Sequence, residues 1–309
     1  MKFGVIVFPG SNCDRDMLHA LQDDLQQEVV MLWHKDSDLS MFTTDDCIIL
    51  PGGFSYGDYL RCGALARFSP MMEQVIAFAN RGGKVFGVCN GFQILCESGL
   101  LPGVLLQNDH QKFVCKNVYI KNEGGDNRIA QQVAQKTLKI PVAHGEGRYF
   151  ADEATIASLE ANKQVIFRYC DEHGAVTTES NPNGAINNIA GICNATKNVF
   201  GMMPHPENLI DPLLGGDDGR ARRRRRERDE RRGGRGDGSR RGKRQRAWTG
   251  DHQHCQRSLE RSRWIDEHPG TGYQRSRQQD AADEPGRPAV RQPRDGGPFG
   301  LRPLQQPDN

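Results

Sequence analysis

Apolar residues along this chain follow two rhythms. Residues 3–8 (FGVIVF) form an unbroken, β-branched-rich run that Pro9 and Gly10 end, the pattern of a strand buried on both faces. A polar loop follows. In DRDMLHALQDDL the apolar residues Met17, Leu18, Leu21 and Leu25 then fall on one face of a helix. VVMLW (29–33) and CIIL (47–50) are further short buried runs. Residues 69–83 (SPMMEQVIAFANRGG) predict a second helix, with Pro70 near its start and Gly82 and Gly83 at its end. KVFGV (84–88) predicts another strand, and NGFQILCESGLL a helix after it. Strands that alternate with helices imply an α/β fold, a mainly parallel sheet with helices on both faces. From about residue 105 to 180 the rhythm changes. FVCKNVYI, IPVAHGEGRYF and VIFRYC, separated by polar loops, read as antiparallel strands added to the same core. Periodicity stops near Leu214, and beyond it Arg, Gly, Gln, Asp and Pro dominate.

Charge divides the chain at nearly the same place. The formal net charge of +2 averages two unlike segments. Residues 1–219 carry 17 Lys+Arg and 26 Asp+Glu, so 17 − 26 = −9; residues 220–309 carry 24 and 13, so 24 − 13 = +11. An acidic globular part therefore precedes a basic tail. The nine cysteines are odd in number, irregularly spaced and without a CxxC pair, which argues against a disulfide framework and against a zinc site. Placed in apolar runs, as Cys47 is in CIIL, most are expected to be reduced core residues of a cytoplasmic protein. The N-terminal apolar run is too short for a membrane span and lacks a signal-peptide layout.

Chemistry concentrates at Gly87-Val88-Cys89-Asn90-Gly91. A buried strand runs into this pentapeptide and a helix leaves it, the context of a nucleophile elbow with Cys in place of Ser. A sharp strand-to-helix turn forces the nucleophile into a strained conformation, and side chains at the flanking positions would clash. The turn sets sulfur at the carboxyl edge of the sheet, where open α/β folds bind ligands. It also faces sulfur toward a helix N-terminus, which favours thiolate over thiol. Cys13 and Cys62, in glycine-containing loops, are the other candidate nucleophiles.

A cysteine nucleophile needs a base, and the base an orienting group. His205 stands in GMMPHPEN, stiffened by Pro204 and Pro206, with Glu207 two residues on. His144, in AHGEGRYF, has Glu146 at the same offset. Spacing leaves both open, with a slight preference for His205. Leu50-Pro51-Gly52-Gly53-Phe54 follows the strand CIIL, so paired glycines sit at the same sheet edge. Their backbone N–H groups, with that of Asn90, suit an oxyanion hole, although taken alone the pair reads as an ordinary turn.

The combination resembles a known family. ILPGGFSYGDYLRCGALARF (49–68), FGVCNGFQIL (86–95), VAHGEGRYF (142–150), NPNGAINNIAGICNATKNVFGMMPHPEN (181–208) and DPLLGGDDGR (211–220) are similar to the small glutaminase subunit of phosphoribosylformylglycinamidine synthase. This is a class I glutamine amidotransferase. The CxGxQ elbow marks only the wider class, whereas GGFSYGDYLRCGA and PNGAINNIAGICN are specific to the purine-pathway group. The resemblance covers residues 1 to about 220; LLQNDHQKFVCK fits it loosely.

The resemblance implies a triad of Cys89, His205 and Glu207, oxyanion N–H groups at Gly53 and Asn90, and glutamine contacts at Gln93 and Gly52. It implies hydrolysis of glutamine to glutamate and ammonia. The ammonia would pass to a large synthetase subunit for ATP-dependent conversion of formylglycinamide ribonucleotide into its amidine, with a small bridging subunit as a further partner. With neither GxxxxGK[ST] nor GxGxxG after a strand, no cofactor is expected in this chain, and ATP and magnesium belong to the partner. No metal, membrane or nucleic-acid role is expected. A glutaminase for another synthetase is disfavoured by GGFSYGDYLRCGA. A non-catalytic binding protein of the same fold is disfavoured by the intact His205 and Glu207.

Residues 221–309 fall outside the resemblance. From Arg220 onward Arg outnumbers Lys 23 to 1, against 7 Arg and 10 Lys in residues 1–219. Such a segment cannot bury enough apolar surface to order itself. It reads either as a disordered basic arm or as coding sequence translated out of frame. The abrupt change in Arg/Lys preference favours the frame error.

Overall fold

The computed structural model describes residues 1–124, 131, 133, 136–210, 216 and 218–220. The chain divides into units Met1–Glu260 and Arg261–Asn309, and every described residue belongs to the first. The tail reading for 221–309 lies outside the described residues.

Continuous apolar runs become the strands of one sheet: β1 (Lys2–Val7), β2 (Glu28–Trp33), β3 (Cys47–Leu50) and β4 (Lys84–Val88). Two further strands, β10 (Ile189–Cys193) and β11 (Val199–Met202), complete the centre. Among the described residues the sheet has nine strands in the order β2-β1-β3-β4-β11-β10, then β9 (Val165–Cys170), β6 (Val114–Asn122) and β7 (Thr137–His144). From β2 to β11 neighbours pair in parallel, and from β11 to β7 they pair antiparallel. The parallel half and the antiparallel extension are those expected, with β10 and β11 as the seam that pattern reading left out. β5 (Val104–Leu106) and β8 (Arg148–Phe150) form a separate two-stranded ladder. IPVAHGEGRYF is thus divided between two sheets at Gly145–Gly147, rather than forming one added strand.

Helices cover the sheet at α1 (Asp14–His19), α2 (Pro70–Asn80), α3 (Asn90–Glu97) and α4 (Glu153–Ala161). In α4, Asp152 caps the N-terminus by accepting from Thr155 N–H at 2.7 Å. The first helix departs from expectation. After His19 it widens into a π-turn over Ala20–Asp24, closed by Leu25 N–H donating to Ala20 O at 3.1 Å. The extra residue shifts the helical phase, so Met17 and Leu21 stay buried while Leu25 turns out to 43% exposure. α2 ends three residues early because Gly82 adopts φ +90° and the backbone turns there.

The core lies along both faces of the parallel strands. Phe86 stacks on Phe200 at 5.0 Å and 2° between ring planes, tying β4 to β11. Phe92 of α3 stacks on Tyr149 of β8 at 5.9 Å. Full burial of such a ring contributes about 2–3 kcal/mol. Because β3, β4 and β11 run parallel in register, with Leu50 opposite Gly87 and Met202 opposite Val88, their carboxyl ends open on one edge. Three loops emerge there together: 51–54, the turn at Cys89, and 203–207. Among the described residues seven cysteines are free thiols, six of them buried. Among the described residues no helix is long and apolar enough to cross a membrane.

Candidate active site

Cys89 joins β4 to α3 at φ 50°, ψ −106°, a strained conformation for a residue with a side chain. Its surroundings hold it there. Cys89 N–H donates to Met202 O at 2.8 Å. A Cβ on Gly91 would lie 1.9 Å from Leu50 O, and one on Gly87 would lie 2.6 Å from Gly91 C. The glycines are therefore required by backbone approach on both sides of the turn. Cys89 Sγ lies 3.7 Å from Ala143 O.

β11 leads directly to His205. His205 N–H donates to Pro141 O at 2.9 Å, and Nδ1 lies 2.7 Å from Glu207 Oε1. His205 is 3% exposed and Glu207 4%. Burial works against an imidazolium, but the Glu207 carboxylate and then the Cys89 sulfur oppose it, and His205 is held well above the ordinary imidazole value. His205 Nε2 and Glu207 Oε2 are buried without a hydrogen-bond partner, yet the Cys89 and Cys13 sulfurs are near enough to stabilise the ring's charge. Cys89, His205, Gly53, Phe54, Asn12, Cys13 and Ala143 line one cavity.

His144 is arranged differently. Its Nδ1 faces Asn108 Oδ1 at 3.2 Å and its Nε2 faces Asn183 Nδ2 at 3.5 Å. Burial drives its pKa down to about 3, which keeps the ring neutral. Glu146 does not pair with it. The Glu146 carboxylate accepts from Cys62 N–H at 3.4 Å, and its backbone oxygen accepts from Gln93 Nε2 at 2.6 Å. Of the two His–x–Glu pairs, only His205 and Glu207 join ring to carboxylate, and the His205 ring lines the cavity that holds Cys89.

The other candidate nucleophiles are kept as thiols. Burial pushes Cys13 up to about 11, against the pull of His205. Burial and then the Asp58 and Glu146 carboxylates raise Cys62 far above the usual thiol range, and its Sγ donates to Asp58 Oδ2 at 3.1 Å. Sequence reading did not place Cys13 beside the histidine. The loop Asn12–Cys13 reaches it because β1 runs parallel to β3. Cys13 N–H lies 3.4 Å from Gly52 O, and Ser11 bridges to Gly53.

Gly53 has φ +132°, and a Cβ there would lie 2.6 Å from Asn12 N. Its N–H donates to no backbone carbonyl among the described residues. The Asn90 N–H falls in the first turn of α3, where no intrahelical acceptor exists. Gly53 lines the cavity with Cys89, and Asn90 follows Cys89 directly in the chain. Gly52, Asn90 and Gln93 are not among the cavity-lining residues. A Cβ on Gly52 would lie 2.6 Å from His205 Cε1, so this glycine makes room for the imidazole. The Asn90 side chain accepts from Ser55 N–H at 3.2 Å and donates to Gln93 Oε1 at 2.9 Å and Asp58 Oδ1 at 3.3 Å. Burial raises Asp58 to about 6. Gln93 therefore has both ends of its amide engaged within the protein.

This arrangement can perform thiolate attack on a carbonyl, with a buried imidazole for proton transfer. Residues 1–216 match the family described as a CobB/CobQ-like glutamine amidotransferase domain. The chain is 54% identical over 220 residues to phosphoribosylformylglycinamidine synthase subunit PurQ of Salinibacter ruber, covering 71% of this chain and 92% of that protein. It is 56% identical over 221 residues to the subunit PurQ of Moorella thermoacetica, with the same coverage of 71% and 92%. Among solved structures, PurLQS from Thermotoga maritima contains a chain 41% identical, with a TM-score of 0.61, covering 71% of this chain and 94% of that one. The chain belongs to the CobB/CobQ-like glutamine amidotransferases, within their group of phosphoribosylformylglycinamidine synthase subunits PurQ.

Proposed function

We propose that this chain is the glutaminase of a phosphoribosylformylglycinamidine synthase and works through Cys89, His205 and Glu207. The observation that carries the reading is the 2.7 Å pair of His205 Nδ1 and Glu207 Oε1, whose imidazole lines the same cavity as Cys89 at its elbow. The Cys89 thiolate attacks the carboxamide carbon of glutamine, and the oxyanion forms against the Gly53 and Asn90 N–H groups. A well-placed donor of this kind is worth about 10²–10³ in rate. His205 gives its proton to the departing ammonia and then takes one from the water that cleaves the thioester. Glu207 fixes the imidazole tautomer and stabilises its charged form. Contact of Gln93 with the substrate requires its amide to exchange the bond to Asn90 or to Glu146. Gly52 borders the substrate through its backbone.

The ammonia passes to a synthetase subunit, which uses ATP and magnesium to convert formylglycinamide ribonucleotide into its amidine in purine biosynthesis. Membership of the PurQ group supports this assembly, and a small bridging subunit is part of the proposal. Free, buried thiols support a reducing, cytoplasmic setting.

The test is ammonia release from glutamine, with and without the synthetase subunit and formylglycinamide ribonucleotide. Cys89→Ala should abolish glutamine-dependent synthesis and leave ammonia-dependent synthesis by the complex intact. Glutaminase activity surviving in Cys89→Ala would refute the assignment.

A further inference from the structure

A second thiol shares the pocket of His205, and the hydrolysis proposed above assigns it no part. Cys13 is 4% exposed and lines the same cavity as Cys89. Its Sγ, a ring nitrogen of His205 and a carboxylate oxygen of Glu207 all lie within 4.8 Å of one another. Glu207 also keeps a polar atom that is buried and unpartnered, Oε2. A buried polar atom without a partner carries a desolvation penalty until something satisfies it. Among the described residues the carboxylate pairs with the His205 ring and with no Lys or Arg.

We infer that Cys13, His205 and Glu207 form a binding site for a thiophilic divalent cation of the zinc type. Sulfur, imidazole nitrogen and carboxylate oxygen are the donor types that zinc takes in tetrahedral sites, and three protein ligands leave a fourth position for water. Charge fits as well. A thiolate, a carboxylate and a neutral imidazole offset the two positive charges of the ion, so no net charge is left buried. Loading releases two protons, one from the Cys13 thiol and one from the His205–Glu207 pair. Cys89 is not a member of the cluster, so the site is separable from the nucleophile. An ion seated there holds His205 and silences glutaminase reversibly. That consequence rests on the function proposed above, whereas the site itself does not.

Cobalt(II) added to the reduced full-length chain provides the test, because a thiolate ligand gives it a charge-transfer absorption band. The native chain and Cys89→Ala should develop this band with a single equivalent, and zinc should displace it. In Cys13→Ser the band should vanish and affinity fall at least about tenfold. An undiminished band in Cys13→Ser, or none in the native chain, overturns the proposal. Should Cys13→Ser fail to fold, His205→Gln in the Cys89→Ala background serves instead. It keeps the sulfur and loses the nitrogen, and unchanged cobalt affinity there also overturns the site. Glutamate release should fall with zinc and recover with a chelator. A normal cobalt band alongside undiminished glutaminase would support the site and count against the assigned role of His205.

Discussion

His205 Nδ1 stands 2.7 Å from Glu207 Oε1 with both side chains sealed from solvent. In such surroundings an ion pair is screened little, and the carboxylate governs both the charge and the tautomer of the ring. Glu207→Gln keeps the shape and removes the charge. It should lower glutaminase kcat by about 10³–10⁴-fold, as expected when the orienting acid of a triad is neutralised. Stability should respond as well. Because the folded-state pKa of His205 lies above the ordinary 6.5, its contribution is complete below that value and is lost as pH climbs through the raised one. Urea midpoints of the native chain should therefore fall through the alkaline range more steeply than those of Glu207→Gln. Parallel profiles would contradict the coupling.

Reactivity should separate the thiols. Burial holds Cys13 up to about 11, and Cys62 is held higher still beside two carboxylates. Cys89 alone among the three sits at the elbow, next to the first turn of α3. A glutamine-mimicking alkylating agent should modify Cys89 and spare Cys13 and Cys62, as read by peptide mass mapping. Equal labelling of Cys13 would show that its thiol is not held protonated.

Gly52 offers a test of geometry without any change of functional group. An added Cβ would stand 2.6 Å from His205 Cε1, so Gly52→Ala should push the ring aside. A displacement near 1 Å at a reacting group lowers rate by about 100-fold. Gly82→Ala is the control. It has φ +90° but nothing within 4 Å of its Cβ, so it should lower stability by about 1 kcal/mol with kcat unchanged. Comparable kcat for the two variants would show that His205 accommodates the methyl group.

Much of this was legible because buried parallel strands leave unbroken apolar runs, as FGVIVF and CIIL do, and because an elbow needs glycine where backbones meet. Gly91 shows that requirement directly, at 1.9 Å from Leu50 O. Other features leave no local trace. IAGIC and VFGM are short and contain glycine, so β10 and β11 carry a weak strand signal, yet β11 delivers His205. The π-turn after His19 shifts the helical phase by one residue, and no composition marks it. The choice between His144 and His205 depends on which carboxylate reaches which ring. The two asparagines that hold His144 stand 36 and 39 residues away from it in sequence. Cys13 reaches His205 only through the parallel pairing of β1 with β3.

Coupling to the partner gives a kinetic prediction. Unrestrained hydrolysis would consume glutamine with no acceptor for the ammonia. The isolated chain should therefore be a weak glutaminase, and activity should rise at least about tenfold in the complex, or about 1.4 kcal/mol of transition-state stabilisation. The route would run through the loops that carry Gly53 and Cys89. Steady-state ammonia release by the chain alone and by the complex measures it, and full activity in the isolated chain would contradict it.

The last described residues bear on the site more than their position suggests. Asp218 Oδ2 accepts from Lys139 N–H at 2.8 Å, and Gly219 N–H donates to Leu209 O at 2.8 Å. A Cβ on Gly219 would lie 1.9 Å from Pro206 O, so this glycine packs directly on the turn that holds Glu207. Truncation after Arg220 preserves these contacts and removes the Arg-rich segment. Glutaminase activity should then stay within about twofold of the full chain, since a lost contact below about 0.5 kcal/mol changes a rate little. Truncation after Leu209 removes both hydrogen bonds and the Gly219 contact. Net intramolecular hydrogen bonds contribute about 1 kcal/mol each, so thermal stability should drop and His205 should lose its fixed geometry along with it. Tm and ammonia release measured on the two truncations decide the matter. Activity lost by cutting after Arg220 would place part of the working enzyme in residues 221–309 and refute the out-of-frame reading of that segment, as would an intact mass from the native source matching all 309 residues.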